Sequence, residues 1–547
     1  MAMRCSGLGM DSISVDVLLF ATALIALIAV CIRKPILGWP SALFPSNADE
    51  KSRKKKGFPP GPRAWPIIGN MHLLANLPHQ VIGDLSRKYG PIIGLHFGQQ
   101  SAIAVCSPSL AKEVLKTHDS VFGSRPAFKI YNHLLYPGDS GVIFTTLSPE
   151  WRTHRKICVM SLMTPKRLQE MEHVRLEEIT NLMSSAVAES EQGRRPVNIG
   201  KCVARMSARL FMRLLHSEAC FCYGGEDLPE LVKLFEQEIA MPGMGDFIPA
   251  LSWLDLWRIR RVRSFHKRVD AVLSTIIAKR MKHMGESSQS YDDLLQSLLA
   301  RLVESNRMTE TSLPEESLTM NEVKGTMLEI LGAGIHTTAL TTEWGMAELL
   351  KHPNCIRRLR QEMEEVLGDK RGELIVEADL GKLSYLKCVI KEIARLHPVL
   401  PMLIPHISSQ ECDIGGYAIP PKTLAFVNVW AIGRDESIWE NALEFRPERF
   451  ESSNKFIDLK GHHYELLPFG SGRRICAGLP VAIAMVGLTL ANLVHCFDLE
   501  LPPGQTPDTM NMEESKGIAS NKAVPTVVVP KPRFSMDFCT EPLTTSA

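Results

Sequence analysis

The sequence predicts a mainly α-helical protein with small β-sheets, a single large domain preceded by one transmembrane helix. Three observations point there. Helical periodicity dominates beyond residue 66, one short stretch reads as a hairpin, and an uncharged apolar run lies near the N-terminus.

The apolar run is VLLFATALIALIAVCI, residues 17–32. At about 1.5 Å per residue it spans roughly 24 Å, a little short of a hydrocarbon core of about 30 Å. Flanking Ile13, Val15, Ile36 and Leu37 make up the difference. A cleaved signal peptide would want a charged start and a small-residue cleavage site. Here Arg4 is the sole basic residue before the run, and Asp11 and Asp16 precede it. Arg33, Lys34 and the basic residues from Lys51 to Lys56 follow it, so this end is expected to stay cytosolic. The basic run meets anionic headgroups, and Phe58-Pro59-Pro60-Gly61-Pro62 after it favours a stiff extended hinge.

Beyond the hinge, IIGLHFGQQSAIAV (92–105) reads as a hairpin with its turn at Gly-Gln-Gln. Helical periodicity marks 170–189, 228–239, 258–284 and 322–351, while the polar stretches 285–293 and 304–321 read as loops. No repeat or low-complexity linker interrupts the body. That weighs against the three or four domains that 547 residues would suggest. The division expected is an anchor over 1–38, a basic and proline-rich hinge over 39–66, one body over 67–535 and a tail over 536–547.

Composition narrows the function classes. Sixty-two basic side chains face 60 acidic ones, and aromatic residues make up 7%, so neither a phosphate-binding face nor a base-stacking platform is expected: no nucleic acid. The 13 cysteines contain no CxxC pair, and the close pair Cys220 and Cys222 has no second pair nearby. Such scattered thiols suit a reducing cytosol, most of them as small buried apolar residues.

One cysteine stands apart. In FGSGRRICAG (Phe469 to Gly478), Gly470, Gly472 and Gly478 remove side chains around Cys476, so a flat cofactor and the backbone can approach closely. An apolar helical run follows, placing Cys476 at its N-cap, where macrodipole and free amides favour thiolate. A thiolate axial ligand pushes electron density onto iron and favours O–O cleavage. A lone glycine-flanked cysteine is more often a buried turn residue; a ten-residue pattern is far more specific.

A second constellation is Glu392 and Arg395, at i and i+3 in LKCVIKEIARLHP. Such a pair alone is usually a solvated surface pair. Here Leu386, Val389, Ile390 and Ile393 make the opposite face apolar, and Pro398 stops the helix. A third is Ala333-Gly334-Ile335-His336-Thr337-Thr338 in the long apolar helix, roughly 45 Å at about 1.5 Å per residue. Small residues followed by threonines suggest a local widening, with hydroxyls free to bond backbone or ligand; a kink without chemistry is the alternative.

FGSGRRICAG resembles the haem-binding loop FxxGxRxCxG of the cytochrome P-450 superfamily at every fixed position. The resemblance extends from about Phe58 to Phe534. It implies the cytochrome P-450 fold, heme b (iron protoporphyrin IX) as cofactor and Cys476 as the iron ligand, with Phe469, Gly470 and Gly478 shaping the loop. Arg474 is then expected at a haem propionate. FRPERF (445–450) resembles the family's PERF segment, whose Arg449 would join Glu392 and Arg395 in a buried structural network. Trp151 and Arg155 resemble the family's WxxxR, implying contact with a propionate, and His406 matches the residue reaching the other one. Thr337 matches the threonine that hydrogen-bonds dioxygen. The pattern (A/G)Gx(D/E)T expects an acid where His336 stands, so the proton-delivery route departs from the family's. A histidine can shuttle protons as well, so both residues are candidates for catalysis.

The reaction implied is insertion of one oxygen atom from dioxygen into a lipophilic or aromatic small molecule. With no GxGxxG fingerprint after a strand, electrons are expected from a separate protein, and the resemblance implies an NADPH-dependent flavoprotein reductase on the same membrane. The implied location is the endoplasmic reticulum membrane, single-pass, with the catalytic body facing the cytosol. GDFIPALSWLDL (245–256) and LVHCFDLELPPG (493–504) look most like plant phenylpropanoid and flavonoid hydroxylases. The pocket is expected from 125–147, 331–337, 399–404 and 517–520, with Phe128, Ile130, Val142, Phe144, Leu403, Ile404 and Ile518 apolar. A haem-thiolate isomerase or dehydratase needing no reductase, and a haem sensor with His336 as sixth ligand, are the alternatives.

Overall fold

The computed structural model describes residues 57–535 apart from 75–76, 138–139, 241, 287–292, 308–317, 369 and 371. The apolar run at 17–32, the basic run and the tail lie outside them.

Ten helices surround the site or pack against those that do. They are α1 (Pro149–Cys158), α2 (Glu172–Glu189), α3 (Ile199–His216), α4 (Leu228–Ile239), α5 (Leu256–Glu286), α6 (Leu294–Arg307), α7 (Met320–Lys351), α8 (Pro353–Leu367), α9 (Ser384–Leu396) and α10 (Leu479–Cys496). Two sheets matter. Strands β1 (Ile92–Phe97) and β2 (Gln100–Val105) form the expected hairpin. Strand β3 (Val197–Asn198) belongs to the second sheet, β4 (His406–Ile407) and β5 (Leu424–Val427) to the first, and β6 (Phe497–Glu500) and β7 (Val527–Pro532) to the second. The orders are β1-β2-β5-β4 and β6-β7-β3.

Helix α7 is the axis of the body. Thr319 opens it with a capping box, accepting from Glu322 N at 3.3 Å while Glu322 Oε2 accepts from Thr319 N at 2.6 Å. Pro353 ends it, because the residue before proline is disfavoured in the α region. Most of its residues are buried, against α3, α4, α9 and α10. Helix α10 has the length and hydropathy of a membrane span, yet 72% of it is buried within the body, so it is a core helix.

Sequence-derived boundaries for α2, α4, α5 and α7 hold within two residues. The polar stretch 304–321 is not all loop: α6 runs to Arg307 and α7 starts at Met320. The expected loop 285–293 likewise begins inside α5, which ends at Glu286. Polarity misled in both places, because the exposed ends of amphipathic helices are polar too. The proline-rich segment is extended and lies along β1, where Gly94 N donates to Pro60 O at 2.8 Å. A Cβ on Gly94 would stand 2.3 Å from Pro59 O, so only glycine admits that approach.

Candidate functional site

The cysteine loop is shaped by backbone geometry. Gly470 and Gly472 have φ of +70° and +67°, and a Cβ on Gly472 would sit 2.0 Å from Leu115 O. Cys476 N donates to Phe469 O at 2.9 Å, closing the loop. Cys476 is not the N-cap expected for it; the cap of α10 is Gly478, two residues on, because Pro480 fits the first turn. The amides of Gly478 and Leu479 nevertheless donate to the Cys476 sulfur, and Arg155 lies close by. Burial outweighs these groups and pushes the thiol up, so the fold alone does not make the thiolate; a cation at the sulfur reverses that balance. Six other cysteines among the described residues, Cys106, Cys158, Cys202, Cys355, Cys388 and Cys496, are buried, as expected of small apolar side chains. Cys476 is exposed although it lies deep in the body. It borders an interior space.

In a separate network, Glu392 accepts from Nε and Nη2 of Arg395, each at 2.8 Å, and from Arg449 Nε at 3.0 Å, all three residues being buried. Arg395 also donates to the carbonyls of Gly433 at 2.5 Å, Ala442 at 2.6 Å and Glu444 at 2.9 Å. Every donor is used, so this is a structural clamp and not a surface pair.

A second cluster is cationic. Trp151 donates through Nε1 to Val142 O at 2.8 Å, with Arg474 over its ring at 4.1 Å and Arg155 at 5.6 Å. Arg155 donates to Ile475 O. Arg474 donates to the carbonyls of Gly123 at 2.7 Å, Val142 at 3.1 Å and Thr145 at 2.5 Å. Arg125 donates to Ile404 O at 2.6 Å and Pro405 O at 3.0 Å. His406 Nδ1 pairs with Phe122 O at 2.6 Å, which makes Nδ1 the protonated nitrogen. Burial, then Arg474 and Arg155 beside it, push Arg125 down to about 9, while burial and Arg125 hold His406 well below the usual histidine value. The carboxyl acting on Arg125 is Glu329, itself pushed up to about 7 by burial. Three guanidiniums and an imidazole against one carboxyl want an anion.

Glu329, on α7, accepts from the backbone amides of Val142, of Ile143 at 2.6 Å and of Phe144 at 3.3 Å. One turn on, Ala333 is exposed in the middle of a mostly buried helix. Val142 thus links α7 to Trp151 and Arg474, and these lead through Arg155 to Cys476. A Cβ on Gly478 would lie 3.8 Å from the Cys476 sulfur. A flat group with a soft-ligand metal and two carboxylates fits this set of residues. Haem is such a group.

The distal residues behave differently from expectation. Helix α7 runs unbroken through 333–338, so the expected widening is absent. Thr337 Oγ1 donates to Ala333 O at 2.5 Å, and Thr341 Oγ1 to Thr337 O at 2.9 Å, which absorbs hydroxyls without opening the helix. His336 Nδ1 pairs with Glu236 of α4. Three of the four expected pocket segments are tied together: Ser520 N donates to Val399 O at 2.8 Å, and Arg125 binds the 404–405 carbonyls.

Sequence reasoning missed Arg125, Glu329 and Glu236. Glu329 had a signal, a lone charge within the apolar stretch TMLEILGAG. Arg125 had a weaker one, a cation between Gly123-Ser124 and Pro126. Glu236 had none, because it meets His336 only across space.

The cytochrome P450 family profile matches residues 59–527. A flavonoid 3'-monooxygenase of Petunia hybrida is 37% identical over 487 residues, covering 87% of this chain and 92% of that protein. One of Arabidopsis thaliana is 37% identical over 485 residues, with 87% and 92% covered. Among solved structures, a zebrafish cytochrome P450 with progesterone superposes with a TM-score of 0.68 at 26% identity, over 83% of this chain and 99% of that one.

Proposed function

The chain belongs to the cytochrome P450 family, and from that premise we propose that it hydroxylates an aromatic ring of a flavonoid-like polyphenol at a membrane surface. That it is a haem-dependent monooxygenase follows from the family. The observation carrying the substrate is the 37% identity to flavonoid 3'-monooxygenases over 87% of the chain. The apolar walls support it: Phe128, Ile130, Val142 and Leu403 are buried, and Phe144, Ile404 and Ile518 half-buried. They leave the polar ends of a ligand to a few groups.

When bound, the haem supplies the activation of dioxygen, one atom of which enters the substrate while the other leaves as water. Cys476 would hold the iron as thiolate, helped by the amides of Gly478 and Leu479. Arg125, Arg155, Arg474 and His406 would hold the propionates, with Trp151 keeping two of the guanidiniums stacked. Two carboxylates entering this cluster raise the pKa of Arg125 and His406 toward ordinary values. Thr337 offers a hydroxyl beside the exposed Ala333, and His336 next to it passes protons inward from solvent. Electrons come from a redox partner, here an NADPH-dependent flavoprotein reductase on the same membrane.

The membrane reading rests on residues 17–32 as an anchor in the endoplasmic reticulum, with the body cytosolic. A patch on the body supports it. Trp65, Ile67, Trp253, Leu256 and Trp257 are exposed, and the β1–β2 turn joins them: Gly98 N donates to Ile68 O at 3.2 Å and Gln99 N to Phe247 O at 3.0 Å. Exposed tryptophans suit the headgroup region.

The test is the full-length enzyme with added reductase and NADPH, screened against flavonoids, simple phenolics, fatty acids and terpenoids. A spin-state shift and a product with one added ring hydroxyl are expected from flavonoids. Turnover confined to fatty acids or terpenoids would overturn the substrate assignment.

A further inference from the structure

Where the family pattern expects a carboxylate, α7 carries His336, and a carboxylate from another helix meets it. Gly332 lets α4 approach α7 closely, since a Cβ there would sit 2.9 Å from the Phe235 ring. His336 lies one turn beyond Gly332 on the same face of α7, and Glu236 follows Phe235 on α4. The result is the hydrogen-bonded pair of His336 Nδ1 with the Glu236 carboxylate, each side chain about one-sixth exposed, at 15% and 16%. Glu343, buried two turns further along the same face of α7, is acted on electrostatically by His336.

We propose that Glu236 is the positioning residue for His336. It replaces across space the acid that α7 lacks, and makes proton delivery depend on α4 staying docked on α7. A carboxylate on Nδ1 fixes the tautomer, so Nε2 is the nitrogen left with a lone pair. Nε2 takes a proton from solvent water and passes it toward the Thr337 hydroxyl, while the carboxylate offsets the transient imidazolium charge. No electron moves in this step, and the proton taken from solvent is the proton delivered. Glu236 touches neither substrate nor haem in this account. The inference rests on the reading of His336 as a proton relay.

The test compares wild type, Glu236→Gln, His336→Ala and the double variant. Full-length enzyme with reductase is normalised to its haem-thiolate absorbance and supplied with a flavonoid substrate. Product formed per NADPH consumed and peroxide released are measured, together with the spectral dissociation constant of the substrate. Each single variant is expected to lower product per NADPH by roughly threefold or more, in the range of couplings between contacting residues, and the double variant no further. Substrate affinity is expected to stay within about twofold, which a merely structural tie would not spare. Independently of turnover, hydrogen exchange in peptide 228–239 is expected to speed up in His336→Ala and Glu236→Gln alike. That measurement stands even if one variant folds poorly. If Glu236→Gln couples like wild type while His336→Ala does not, or if the two losses add, Glu236 has no such role. If His336→Ala itself couples like wild type, the relay reading fails and the inference with it.

Discussion

The loop and clamp around Cys476 and the distal stretch of α7 are built to different standards. On the Cys476 side, the family pattern is met at every fixed position, and Glu392, Arg395 and Arg449 satisfy one another in full burial. On the distal side, an imidazole stands on α7 where the family pattern expects an acid, and Glu236 of α4 pairs with it. The difference teaches where sequence is constrained. Ligation needs one sulfur at one height, set by backbone turns that only glycine can make. Proton delivery needs a donor near Thr337, which several arrangements of side chains and water can provide.

The comparison can be broken most forcefully on the rigid side. Glu392→Ala leaves two buried guanidiniums without their carboxylate, and removing one partner of such a pair costs about 3–5 kcal/mol. Loss of most folded, haem-loaded protein is expected on expression, measured by haem per chain; normal haem content would show that the clamp is dispensable. A smaller effect is expected from Arg125→Leu, which removes charge-assisted hydrogen bonds worth about 1.5–3 kcal/mol. Haem should leave this variant about tenfold faster or more in a transfer assay with an acceptor protein, and an unchanged rate would remove Arg125 from the propionate site.

The smallest effect sharpens the border between the two regions. Glu329 is raised by burial from 4.5 to about 7. A carboxyl raised by folding binds its proton more tightly in the folded state, so stability falls as pH rises from about 4.5 to about 7. Glu329→Gln is expected to flatten that part of the curve of Tm against pH relative to wild type. Parallel curves would mean that Glu329 is ionised throughout.

Much of the fold was legible because its cues are local. The β1–β2 hairpin, the cap-to-proline span of α7 and the helix stop at Pro398 all follow from residues within one element. So did the loop around Cys476, down to its glycines, although Cys476 itself falls two residues short of the cap because Pro480 sets the helix start. Trp151, Arg155, Arg474 and His406 were found by motif, and the structure brings them into one cluster. What escaped was made by distance in sequence. Glu236 meets His336 across 100 residues, and Arg125 meets the 404–405 carbonyls across about 280. The threonines of α7 misled because a hydroxyl can satisfy itself on the preceding turn without opening the helix.

The central claim is that Cys476 alone supplies the thiolate. The reduced carbon monoxide adduct of the full-length protein reads it directly, because thiolate-ligated haem shows a red-shifted Soret band. Cys476→Ser is expected to lose that band, while Cys388→Ser and Cys496→Ser, which change buried thiols elsewhere in the core, are expected to keep it. An unchanged band in Cys476→Ser would contradict the account at its root.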